Sequence, residues 1–149
     1  MGTFRVTTDI NRPATDVFAF IADPRNMPRW YEAVDRVAEV TPKTATQAAT
    51  YRITRSLPGG RADNIVEVAE STPDLMVTVE SRVGPTPFHY HYRIESIGNG
   101  SRLTLDANIS SAGLPGPLAY LDGVATRAFK HGMQRNLEEL RRLVESDAP

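Results

Sequence analysis

The stretch Phe88-His89-Tyr90-His91-Tyr92-Arg93-Ile94-Glu95-Ser96-Ile97-Gly98-Asn99-Gly100-Ser101-Arg102-Leu103-Thr104-Leu105-Asp106-Ala107-Asn108-Ile109-Ser110 decides the architecture. Its polarity alternates on both sides of Gly98-Asn99-Gly100, a hairpin turn signal. A period of two puts Phe88, Tyr90, Tyr92 and Ile94 on one side of the first strand (residues 88–97), and Leu103, Leu105, Ala107 and Ile109 on one side of the second (residues 102–110). His89, His91, Arg93, Glu95, Arg102 and Asp106 take the opposite side. Two such strands demand an antiparallel sheet with one face buried and one face in water.

Upstream, the same pattern repeats at short intervals. Strands are predicted over residues 36–41, 48–57, 64–71 and 75–83, punctuated by Pro58-Gly59-Gly60, Thr72-Pro73-Asp74 and Gly84-Pro85. Their inward sets are Tyr51, Ile53 and Leu57; Asn64, Val66 and Val68; and Val77, Val79, Ser81 and Val83. Downstream, the breaker cluster Gly113-Leu114-Pro115-Gly116-Pro117 gives way to Leu118, Leu121, Ala125, Phe129, Met133, Leu137, Leu140 and Val144 at helical spacing. That is one long amphipathic helix to about residue 145. At the other end, residues 4–10 alternate as a strand. Pro13 with Asp16 opens a short helix bearing Val17, Phe18, Phe20 and Ile21. Asp23-Pro24 then opens a second, bearing Met27, Trp30, Tyr31 and Val34. The fold class is therefore α+β: a curved antiparallel sheet of about seven strands wrapped around a long C-terminal helix, with two short helices after the first strand.

The segment running from Ile10-Asn11-Arg12-Pro13-Ala14-Thr15-Asp16-Val17-Phe18 through Asp23-Pro24 to Met27-Pro28-Arg29-Trp30 resembles the START-like (helix-grip, SRPBCC) superfamily, and within it the polyketide cyclase/dehydrase-like family of small bacterial proteins. Gly100-Ser101-Arg102-Leu103-Thr104-Leu105 is similar to that family's last strand, and Asn136-Leu137-Glu138-Glu139-Leu140-Arg141-Arg142-Leu143 to its terminal helix. The resemblance covers nearly the whole chain. It implies a single ligand-binding domain over residues 1–149, built as a helix-grip fold. It also implies an internal cavity for a lipid, quinone, polyketide or other hydrophobic ligand; a minority of such proteins cyclise or dehydrate polyketides. Its motifs are structural and carry no chemistry, so they do not choose between carrier and enzyme.

Bulk composition narrows the partners. The 149 residues carry 17 Lys plus Arg against 18 Asp plus Glu, so no basic excess favours nucleic acid or an anionic membrane. The absence of cysteine excludes disulfides, thiolate nucleophiles and cysteine-ligated zinc. No signal-like or membrane-length apolar run is present, which predicts a cytoplasmic protein without membrane insertion. The expected partner is a hydrophobic small molecule, with no cofactor; oligomeric state is not legible.

The candidate ligand contacts are Trp30, Tyr51, Asn64, Ser81, Tyr90, Tyr92, Leu114, Leu118, Leu121, Ala125 and Phe129. Apolar walls with a few neutral hydrogen-bonding groups suit a ligand with a greasy body and one or two oxygens. Arg55, at its strand's end, can turn inward to meet an acidic group. Each tyrosine is also explained by core packing, and Trp30 by packing at the end of the sheet. No Asp, Glu, His or Lys falls on the inward side, which leaves tyrosine as the candidate acid should the chain be a cyclase or dehydrase. His89, His91 and His131 are every histidine, but the strand pair points to solvent, so no metal site is expected. In the long helix, Gly123 and Gly132 allow either close approach of a strand or room for a ligand near Ala125 and Phe129; Gly132 flanks the buried stripe, which favours close packing there.

Overall fold

The computed structural model describes residues 2–57, 59–113 and 122–146, with Asp122 described by its backbone alone. The described strands are β1 (Gly2–Ile10), β2 (Val34–Thr41), β3 (Thr50–Leu57), β4 (Gly60–Thr72), β5 (Met76–Val83), β6 (Phe88–Ile97) and β7 (Gly100–Ile109). The helices are α1 (Ala14–Ile21), α2 (Met27–Trp30) and α3 (Asp122–Ser146), with a 3-10 turn at Pro24–Asn26. Pro13 sits just before α1 in an extended conformation, and the Asp23 carboxylate accepts the Arg25 N–H at 3.0 Å to start the 3-10 turn.

All seven strands join one antiparallel sheet in the order β1-β7-β6-β5-β4-β3-β2. Strands β1 and β2 follow each other in the chain yet occupy opposite edges, so α1 and α2 carry the chain across the cup between them. The register sets like against like: Tyr90 opposes Ala107, Tyr92 opposes Leu105 and Ile94 opposes Leu103. These inward residues are buried together with Tyr51, Ile53, Val66, Val77 and Val79. The helix supplies the opposite wall, with Met133, Leu137, Leu140 and Val144 buried against the sheet. Fully burying one such leucine stabilises the fold by roughly 1.5–3 kcal/mol. Two hydrogen bonds fix the helix along β1: Thr8 Oγ1 to Glu138 Oε1 at 3.1 Å, and the Asn11 N–H to Glu145 Oε2 at 2.8 Å. This is the helix-grip fold.

Val83 departs from the expected facing. Ile65 pairs with Val83 while Val66 pairs with Ser81, so Arg82 is an extra residue in β5. An inserted residue shifts the alternation, and Val83 stands 60% exposed instead of pointing inward. Strand β4 also begins four residues earlier than its apolar pattern, because Gly60-Arg61-Ala62-Asp63 pairs with the end of β3, where Thr54 Oγ1 also donates to Asp63 Oδ1 at 2.9 Å. Among the described residues, no helix is long and apolar enough to cross a membrane.

Candidate functional site

Strand β3 delivers the most unusual side chain of the interior. Alternation turns Tyr51, Ile53 and Arg55 inward, and Arg55 is only 1% exposed. A buried guanidinium ordinarily has a carboxylate partner, because an unpaired buried charge is costly. Here every partner among the described residues is neutral. Arg55 Nη1 donates to Thr86 Oγ1 at 2.6 Å, Asn64 Oδ1 at 3.1 Å and the Pro85 carbonyl at 3.3 Å. The guanidinium carbon lies 5.6 Å from the Phe88 ring centre, within cation–π range. Arg55 Nε is buried without a partner. No hydrogen bond to Nη2 joins it to any described residue.

Asn64 and Ser81 form the support behind this group. Asn64 Nδ2 donates to Ser81 Oγ at 3.0 Å and to the Pro85 carbonyl at 2.8 Å. That leaves Asn64 Oδ1 facing Arg55. Both residues are buried, and their side chains brace the arginine rather than line open space.

The arginine sits in the wall of a cavity of about 460 Å³ between the end of β3, the α2–β2 link and the middle of α3. Tyr31, Leu57, Phe129, Gly132, Met133 and Asn136 contribute to the same wall. Gly132 does not pack closely: a Cβ placed there meets nothing within 4 Å. It widens the cavity, contrary to the expectation of tight helix–sheet contact. The Asn136 side chain accepts the Glu32 N–H at 3.1 Å, which ties the α2–β2 link to the helix at the cavity's edge.

From Arg55 an aromatic wall runs through the cup. Phe88 and Tyr90 lie 4.4 Å apart, Tyr90 and Tyr92 6.4 Å, and Tyr92 and Trp30 6.4 Å, centre to centre. The Tyr90 hydroxyl and the Trp30 indole N–H are both buried without hydrogen-bond partners among the described residues. Burial pushes the Tyr90 phenol well above its ordinary value, with the Tyr31 and Tyr92 hydroxyls adding to the effect and Arg55 opposing it. The Tyr31 hydroxyl does not complete a hydrogen bond to it. Burial likewise raises Tyr92. Both phenols therefore stay neutral, suited to donate hydrogen bonds.

The other residues expected in the site fall in several places. Phe129 lines the cavity, and Ala125 lies half-buried one turn earlier on α3. Tyr51 is buried but close to the charges of Asp23 and Glu39, and burial raises its phenol. Trp30 is buried and forms the floor of a separate groove of about 720 Å³ between α2 and α3. Leu114, Leu118 and Leu121 lie outside the described residues. Tyr31 and Asn136 were not anticipated as wall residues. Of these, Asn136 had a signal, as a polar residue one turn from Met133 and beside Leu137 in the apolar stripe.

The histidines lie outside the cup. His89 is half-exposed and 3.4 Å from Glu80, and His91 Nδ1 is 2.8 Å from Thr78 Oγ1. Among the described residues, no group of three or more His, Asp or Glu is disposed to hold a metal ion.

A cup-shaped sheet gripping a helix, with an arginine-edged cavity between them, is the START-like fold. The chain belongs to the family described as polyketide cyclase / dehydrase and lipid transport, whose sequence pattern matches residues 1–145. Among solved structures, it is similar to a Thermus thermophilus protein at 15% identity, with 99% of this chain and 100% of that one covered and a TM-score of 0.83. A START superfamily protein from Mycobacterium smegmatis has 15% identity, 93% and 98% coverage, and a TM-score of 0.69. The Zhui aromatase/cyclase of a Streptomyces species has 13% identity, 97% and 93% coverage, and a TM-score of 0.74. At such identities these likenesses establish the fold alone. No curated protein matches the sequence significantly.

Proposed function

We propose that the chain binds and carries a hydrophobic small molecule whose one acidic oxygen group pairs with Arg55, acting as one ligand-binding domain in the cytoplasm. The observation that carries this reading is the unmatched guanidinium. A buried arginine with neutral described partners on Nη1, and with Nη2 unbonded to any described residue, offers the Nη2 group to a carboxylate or an enolate. The cavity volume lies within the range of small-molecule sites. Its Leu57, Phe129 and Met133 walls suit a lipid, quinone or aromatic polyketide body. The orphaned Tyr90 hydroxyl and Trp30 N–H add donors deeper in the cup for further ligand oxygens.

A second reading, cyclisation or dehydration of a polyketide-like substrate, is favoured by Tyr90, whose ring packs on the same Phe88 ring that Arg55 faces. Its raised pKa makes proton donation weak at neutral pH, which favours the carrier. Native mass spectrometry of freshly purified protein, followed by solvent extraction, tests the first reading. A co-purifying hydrophobic acid that is lost in Arg55→Gln supports it. An empty protein that gains no thermal stability from a panel of fatty acids, quinones and polyketides sinks it. Turnover of a poly-carbonyl compound that disappears in Tyr90→Phe would establish the enzyme instead.

A further inference from the structure

The β5–β6 turn, Gly84-Pro85-Thr86-Pro87, holds a second anomaly. Thr86 has a φ of 48° and is 0% exposed. A β-branched residue in the left-handed region is a true outlier, and the following proline restricts it further. Such strain persists only where the surroundings over-determine it.

Here they do so on three sides. The Thr86 N–H donates to the Ala112 carbonyl at 2.6 Å, and the Ser110 N–H donates to the Pro87 carbonyl at 3.0 Å. Gly113 presses on the turn so closely that a Cβ there would lie 2.7 Å from Pro85 Cβ. On the other flank, a Cβ at Gly84 would lie 2.5 Å from the Asp63 carbonyl oxygen. The clamp leaves the Thr86 hydroxyl one role inside the protein: it accepts from Arg55 Nη1 at 2.6 Å, the shortest of that nitrogen's three bonds.

We infer that Thr86 is the positioning residue that gives the cavity its selectivity for an anion, by fixing Arg55 Nη1 so that Nη2 stays unbonded at the cavity wall. The inference rests on the proposed role of Arg55. Without the hydroxyl, the guanidinium can rotate toward the Pro85 carbonyl and Asn64 and satisfy Nη2 internally. The anion then loses its preorganised partner, while the apolar walls are unchanged.

Two fluorescent probes with one ring body separate these effects: anilinonaphthalene sulfonate, which is anionic, and phenylnaphthylamine, which is neutral. They are titrated into the full chain after solvent removal of co-purified ligand. Thr86→Val keeps the shape and removes the hydroxyl; Thr86→Gly removes the hydroxyl and relieves the strain, and serves if the valine variant does not fold. Both are expected to weaken the sulfonate probe about tenfold, as for a lost hydrogen bond to a charged group, with the neutral probe unchanged. Thr86→Ser is expected to restore the sulfonate affinity.

Parallel weakening of both probes, or undiminished sulfonate binding in the valine and glycine variants, overturns the inference. Arg55→Gln is the control for the reading beneath it. If Arg55→Gln abolishes the sulfonate preference and the Thr86 variants do not, only the role of Thr86 falls. If Arg55→Gln leaves the preference intact, or the unsubstituted chain binds neither probe, the role of Arg55 falls and the inference with it.

Discussion

The two halves of α3 obey the same period but do different work. From Met133 onward, Met133, Leu137, Leu140 and Val144 are all buried. Before Met133, Ala125 and Phe129 are half-buried, Val124 is 58% exposed, and Gly123 and Gly132 have open space where a side chain would stand. Strand β1 accompanies both halves, with Gly2 against Thr126 and Thr8 against Glu138. The difference therefore comes from the other flank, where α1 and α2 lie against the helix and the Arg55 cavity opens beside its first half. An amphipathic stripe reports which face of a helix points inward, not whether anything fills the space it faces.

The largest expected effect tests that contrast. Leu137→Ala removes a side chain with no exposure and should cost about 2–5 kcal/mol in denaturant unfolding. Phe129→Ala removes a larger side chain from a wall that is already open, and should cost about 1 kcal/mol or less. Equal losses would mean that the two halves are equally packed and the cavity is closed in solution.

Tyr90→Phe sharpens the comparison from within the cup. The hydroxyl is buried without a partner, so deleting it should stabilise the ligand-free protein by about 1 kcal/mol. The same change should weaken any ligand whose oxygen reaches that hydroxyl. Lower thermal stability in the phenylalanine variant would show that the group already has a partner within the protein.

Much of this architecture is visible in the chain itself, because period-two alternation and the helical stripe are direct consequences of burying one face. Tyr90, Tyr92, Leu103 and Leu105 are placed by their pattern alone. Val83 is misplaced because a bulge depends on pairing with β4, which no local pattern encodes. The site is less legible for the same reason. Arg55 announces its facing by parity, but the neutrality of its partners emerges only when β4, the β5–β6 turn and β3 converge. Asn64 and Ser81 read as wall residues in sequence, yet three-dimensional pairing turns them into braces.

The helix glycines offer a finer separation of fold from site. Gly132→Ala and Gly123→Ala should each raise stability by about 1 kcal/mol, since neither added methyl meets another atom. Gly132 lines the cavity and Gly123 does not. Only Gly132→Ala should therefore weaken the neutral ring probe. Loss of stability in Gly132→Ala would mean that the helix sits closer to the sheet than its open flank implies.

The smallest expected effect lies on the outer face of the sheet, where charge is satisfied instead of stranded. Asp106 receives Arg5 Nε at 2.6 Å and Arg93 Nη2 at 3.0 Å. Partial burial alone would raise its carboxyl, but the bonds from Arg5 and Arg93 outweigh that and hold it below the usual 3.8. A depressed carboxyl in the folded state contributes stability above the unfolded value and loses it as pH falls through the folded one. Asp106→Asn should accordingly flatten the decline of stability below about pH 4, while at neutral pH it costs little, because exposed pairs are screened by solvent. Probe binding in this variant should match the unsubstituted chain, since the pair faces away from the cup. A shift in sulfonate affinity would instead couple the outer charges to Arg55 and erase the distinction between the two faces.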